Sequence, residues 1–154
     1  MVTFSRNLKR LIYLISPNKI LPNFYIELED VLASKKVSFF QLRLKNKSTS
    51  EVVKIAKKIR IITKRYNVKL IINDNSLIAK KIKADGCHLG QKDDSIELAR
   101  KNIKKKILGI TCHGSKQLAL DALKNKCDYI ALGSFYKSQL KPKAKKIDIK
   151  ILSW

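Results

Sequence analysis

The sequence predicts an α/β protein made of repeated βα units around a parallel sheet, of the (β/α)8 TIM-barrel type with about six units present. Two observations predict repeated units: short apolar runs alternate with stretches of helical period, and each stretch starts where an apolar run stops. A third concerns the polar residues, which gather at the carboxyl ends of successive runs, where barrel enzymes assemble their sites from several loops. An open doubly wound sheet is the competing architecture, and 154 residues lean towards it, since barrels typically need roughly 200 to 250. The first run, however, leads into Pro17-Asn18 without a GxGxxG or Walker loop, so the polar strand ends favour the barrel.

Strands are expected near Leu11–Ser16, Val37–Leu44, Val68–Asn73, Gly86–Gly90, Ile107–Thr111 and Tyr129–Gly133. Between the second and third, Val52, Ile55, Ala56, Ile59, Ile62 and Tyr66 recur at spacings of three and four, a helix with one apolar stripe. Ser48 and Glu51 supply its capping box. Asp94, with Glu97 three residues on, marks a second helix start, and Ser115 before Leu118, Ala119, Ala122 and Leu123 a third. No linker, low-complexity tract or domain boundary is visible, so residues 1–154 read as one domain.

Composition narrows the class further. A hydrophobic content of 45% is normal for a chain that buries a core, which excludes disorder. Lys plus Arg number 34 against 12 Asp plus Glu, a formal charge of +22. Such a balance raises nucleic acid or an anionic membrane as partners. The lysines, however, are spread over nearly every polar segment with no block of five or six, the pattern of solvated helix faces. Arg6, Lys9 and Arg10 precede the apolar run Leu11–Ile15, which is too short for a membrane span or a signal-peptide core. A soluble, cytoplasmic protein is expected. Cys87, Cys112 and Cys127 are odd in number, lack CxxC spacing and lie in or beside apolar runs, so neither a disulfide framework nor a zinc site is implied.

In Gln41-Leu42-Arg43-Leu44-Lys45 a strand of period two turns Gln41, Arg43 and Lys45 to one face, where two cations would receive anionic oxygen. Asn73-Asp74-Asn75 ends the third strand as either a functional carboxylate or a turn in which Asp74 or Asn75 caps the next helix. The fourth strand ends in His88-Leu89-Gly90-Gln91-Lys92-Asp93-Asp94. Neighbouring strand ends could bring Asp74 and Asp93 together, and two carboxylates beside Arg43 and Lys45 suit Mg2+ and diphosphate. Asp94 is better explained as a helix cap. His88 reads as a satisfied core histidine, and neither it nor His113 is given a proton-transfer role. After the sixth strand, Gly133-Ser134-Phe135-Tyr136-Lys137-Ser138-Gln139-Leu140-Lys141-Pro142 is a polar loop from which Lys141 could approach a phosphate.

Taken together, QLRLK at 41–45, IIND at 71–74, ADGCHLGQKD at 84–93, LGITCH at 108–113 and CDYIALGSFYKSQLKP at 127–142 resemble the thiamine-phosphate synthase family with its TenI-type relatives. The resemblance implies a (β/α)8 barrel that joins a hydroxymethylpyrimidine diphosphate to a thiazole phosphate and releases diphosphate. It implies that Gln41, Arg43, Lys45, Asn73 and Lys141 hold the pyrimidine diphosphate, with Thr111 where the family usually has Ser. Asp74 and Asp93 would bind Mg2+, Ser138 would contact the thiazole phosphate, and Arg43, Lys45 and Lys141 would supply the catalytic positive charge. Leu140 stands where the family loop has a second hydroxyl, and Ser134 and Lys137 stand in place of its prolines. Family members continue through two more βα units, whereas Trp154 falls inside the expected sixth helix. An incomplete barrel with open edges is therefore expected, and with it self-association through those edges. The alternatives are a TenI-like thiazole tautomerase, which would not need the metal carboxylates, an inactive truncated homologue and, in a different class, a basic nucleic-acid-binding protein.

Overall fold

The computed structural model describes residues 12–136 and 146–154. The contacts fall into two compact units, Met1–Leu70 and Ile71–Trp154, and the boundary lies within a strand.

Unit 1 begins with β1 (Ile12–Ile15), which pairs in parallel with β2 (Val37–Leu42). Between them α1 (Phe24–Ala33) buries Phe24, Leu28 and Leu32, one residue per turn at a spacing of four. Sequence reading gave this helix no start, because Asn23 makes no capping bond to the backbone and its amide instead reaches the Glu27 carboxylate at 2.6 Å. The next helix, α2 (Thr49–Arg65), matches its expected stripe, burying Val52, Ala56, Ile59 and Ile62. Its capping box is complete, with Ser48 accepting from the Glu51 amide and Glu51 from the Ser48 amide. Bonds from the Lys47 ammonium and from Ser48 hold the Glu51 carboxyl down to about 2. Arg65 ties α2 to α1 through Glu29 at 2.8 Å.

Unit 2 carries the end of β3 (Lys69–Asn73), then β4 (Gly86–Leu89), β5 (Ile107–His113) and β6 (Tyr129–Leu132), each paired in parallel with the next. Ile71, Ile72, Cys87, Leu89, Leu108 and Cys112 are almost fully buried. Helices α3 (Ser76–Lys81), α4 (Ile96–Ile103) and α5 (Lys116–Lys124) alternate with these strands. Ser115 caps α5 as expected. The expected cap of α4 needs correction. Ser95, not Asp94, accepts from the Leu98 amide, while Asp94 turns back to α3 and accepts from the Ser76 amide and hydroxyl. Asp94 still satisfies an orphan helix N–H, but that of Ser76 in the preceding helix.

Strand positions agree with the sequence to within two residues at each end. The largest differences are two residues, at β2, which stops at Leu42 rather than Leu44, and at β5, which runs on to His113 rather than Thr111. Ile149–Ser153 forms a 3-10 turn where the resemblance implies a sixth α-helix. Arg100 fastens the far ends of unit 2, donating to the carbonyls of Lys104, Lys106 and Lys126 and to the Asp128 carboxylate. Lys35, Asn67, Lys83, Lys104 and Lys126, all at helix carboxyl ends, adopt the positive φ usually filled by Gly.

Candidate functional site

In unit 1, Gln41 is buried in β2, whereas Arg43 is partly and Lys45 fully exposed beyond the strand. The chain past Leu42 is guided by the loop that follows β1. The Arg43 amide donates to Ser16 Oγ at 3.0 Å and the Lys45 amide to Asn18 Oδ1 at 2.6 Å, while the Ser16 amide donates to the Gln41 carbonyl at 2.9 Å. Two side-chain oxygens thus hold the main chain from the end of β2 to the turn at Lys45 and Asn46. Unit 1 presents two cations and a buried amide, a set for anionic and neutral oxygen.

In unit 2 the register aligns Asn73 with His88, His88 with Gly109 and Gly109 with Tyr129, a straight row across four strands. One residue past the row, Asp74 takes a left-handed φ of 67° while its amide donates to the His88 carbonyl at 2.7 Å. Asn75 caps α3 through the Ile78 amide, so the turn reading of this stretch applies to Asn75. Beyond β4, Asp93 Oδ2 accepts from the Gly90 amide at 2.6 Å. A Cβ on Gly90 would lie 2.7 Å from that oxygen, so the glycine is what admits the carboxylate. His88 is buried, with Nδ1 2.9 Å from the Tyr129 hydroxyl and Nε2 2.9 Å from Thr111 Oγ1, the satisfied histidine the sequence predicts. Gln91 donates to the Thr111 carbonyl at 2.5 Å. His113 closes β5, exposed and left-handed.

Cys87 lies within electrostatic reach of three carboxylates. Burial, and then the negative charge of Asp94, Asp74 and Asp93, push its thiol up to about 12. All three carboxylates therefore act on one buried point, and Asp94 among them is committed to α3. A protonated thiol offers a cation no soft ligand, which leaves Asp74 and Asp93 as hard oxygen donors. No group of three or more His, Cys, Asp or Glu is placed to share a metal ion among the described residues. Two carboxylates fit Mg2+, which usually keeps several waters and takes phosphate oxygens beside one or two carboxylates.

Ser138 and Lys141 lie outside the described residues. Sequence reasoning assigned no role to Tyr129, Gln91 or Ser16. The signal that could have found Tyr129 is Gly109 itself, since a glycine inside a strand marks the close approach of another group. Among the described residues no helix is long and apolar enough to cross a membrane.

The sequence profile of the TMP-TENI family, described as thiamine monophosphate synthase, matches residues 12–154. The thiamine-phosphate synthase of Pelagibacter ubique (strain HTCC1062) is 53% identical over 134 residues, which cover 86% of this chain and 65% of that protein. That of Erythrobacter litoralis (strain HTCC2594) is 36% identical over 148 residues, covering 93% and 70%. Among solved structures, a thiamine phosphate pyrophosphorylase from Pyrococcus furiosus superposes with a TM-score of 0.73 at 30% identity, over 83% of this chain and 62% of that one. The chain thus spans a little under two thirds of the Pelagibacter protein and of the solved structure. Strand and helix order, this likeness and the parallel pairing make the fold α/β of the TIM-barrel type. With the profile running from β1 to the last residue, the chain belongs to the thiamine monophosphate synthase family.

Proposed function

We propose that the chain condenses 4-amino-2-methyl-5-(diphosphooxymethyl)pyrimidine with 4-methyl-5-(2-phosphoethyl)thiazole, a transferase reaction that gives thiamine phosphate and diphosphate. The observation that carries the reading is that Asp74 and Asp93 follow the adjacent, parallel-paired strands β3 and β4 at their carboxyl ends, carboxylates a thiazole tautomerase would not need. In this reading Gln41, Arg43, Lys45, Asn73, Thr111 and Lys141 hold the pyrimidine diphosphate, and Ser138 meets the thiazole phosphate. Asp74 and Asp93 hold Mg2+, which when bound neutralises charge on the departing diphosphate. The aminopyrimidine is electron-rich and supports a cation once diphosphate leaves. The protein's own task is to hold the leaving anion with Arg43, Lys45 and Lys141 and to orient the thiazole nitrogen for attack. The free thiols of Cys87, Cys112 and Cys127 suit action in the reducing cytoplasm.

The experiment is product formation by the purified chain with both substrates and Mg2+. Loss of a contact to developing charge typically costs about 10²- to 10³-fold in rate, so Asp74→Asn should nearly abolish turnover. Near-normal turnover of this variant at saturating Mg2+ would remove the metal assignment. Self-association through β1 and β6 belongs to the same reading, supported by exposed Ile12, Ile15 and Ile130. Sedimentation should then find a species heavier than 17.6 kDa.

A further inference from the structure

The row across β3 to β6 builds something the family roles leave unused. At Gly109 the strand has no side chain, and a Cβ built there would overlap the Tyr129 ring, 1.9 Å from its Cζ. His88 and Tyr129, two strands apart, therefore meet over β5, their rings stacked with centroids 5.5 Å apart and planes 24° from parallel. The Tyr129 hydroxyl lies 2.9 Å from His88 Nδ1, and Thr111 Oγ1, two residues beyond Gly109 on β5, lies 2.9 Å from Nε2. Tyr129, His88 and Thr111 form one hydrogen-bonded chain that runs from the sheet interior to the carboxyl end of β5.

A neutral imidazole has one N–H and one lone pair, so this chain has two polarities. If Nδ1–H donates to Tyr129, Nε2 takes the Thr111 proton and Thr111 can only accept from a ligand. If Tyr129 donates to Nδ1, then Nε2–H donates to Thr111, whose own proton is left to point outward. An anionic diphosphate oxygen needs a donor, and hydrogen bonds to such oxygens are the strong ones. We propose that His88 is a positioning residue: Tyr129 holds it as the Nε2–H tautomer, and this makes Thr111 a hydroxyl donor to an anionic leaving group. The ligand in this statement rests on the synthase reading, whereas the tautomer does not.

The test uses the full chain with 15N-labelled histidine; His88 and His113 are its two histidines, and His113→Gln assigns the signals. Long-range 1H–15N spectra should show His88 protonated at Nε2 in the parent chain, and Tyr129→Phe, which keeps the ring over Gly109, should admit the Nδ1–H form. Turnover with both substrates and Mg2+ should show Tyr129→Phe lowering kcat about tenfold, the scale of one net hydrogen bond. KM for the pyrimidine diphosphate should stay within about twofold, because the interaction matures only as charge develops. Thr111→Ser should retain activity and Thr111→Val should lose it. An Nδ1–H tautomer in the parent chain, or a Tyr129→Phe variant with unchanged kcat, would overturn the proposal. A parent chain that forms no product would strike the synthase reading instead, and the tautomer alone would then decide the inference.

Discussion

In unit 1, Arg43 and Lys45 lie past the last paired residue of β2, and their course is set by side-chain bonds from Ser16 and Asn18. In unit 2, Asn73, His88 and Tyr129 stand at matched positions on four paired strands, and the only small residue in their row makes room for a ring. The first arrangement depends on replaceable loop bonds; the second depends on the sheet itself. Positioning by register is rigid but admits few residue types, whereas positioning by a loop tether tolerates change and loses less when one bond goes.

The sharpest way to break that contrast is Gly109→Ala. The added methyl would overlap the outer end of the Tyr129 ring and push the ring aside, and overpacking of this kind should destabilise by about 2 kcal/mol, read as a shifted urea midpoint. A midpoint within error of the parent would mean the row yields as easily as a loop. Ser16→Ala is the matching change in unit 1. Loss of the bond to the Arg43 amide should cost about 1 kcal/mol in stability, and under the proposed function it should raise KM for the pyrimidine diphosphate more than it lowers kcat. The smallest effect comes from a device both units share. Lys35 and Lys126 end their helices with φ of 59° and 55°, so Lys35→Gly and Lys126→Gly should each stabilise by about 0.5 to 1 kcal/mol. Equal gains in one thermal transition would show that the units melt together; two transitions, each moved by its own variant, would show that they do not.

Much of this architecture was legible in the sequence because the strands are nearly continuous apolar runs and α2 and α5 open on Ser48 and Ser115. The same signals fail where chemistry is displaced along the chain. Asp94 looked like the cap of α4, but its carboxylate reaches 18 residues back to Ser76, a contact that no local pattern encodes. Helix α3 has only six residues, too few to show a period, and α1 lacks a capping bond. The candidate residues at strand ends could be read from alternation and position. The Tyr129–His88–Thr111 chain could not, since it joins residues up to 41 positions apart and depends on which strands neighbour one another.

Cys87 also gives the protein a built-in clock. Its side chain has no solvent exposure, and burial together with the nearby carboxylates raises the thiol to about 12, so it stays protonated at neutral pH. Alkylating reagents should therefore find it only during excursions in which β4 leaves the sheet, when the thiol regains ordinary acidity. Where alkylation outpaces reclosing, the labelling rate would equal the rate at which β4 opens, and so time how often the strand that leads into the Gly90–Asp93 bond lets go.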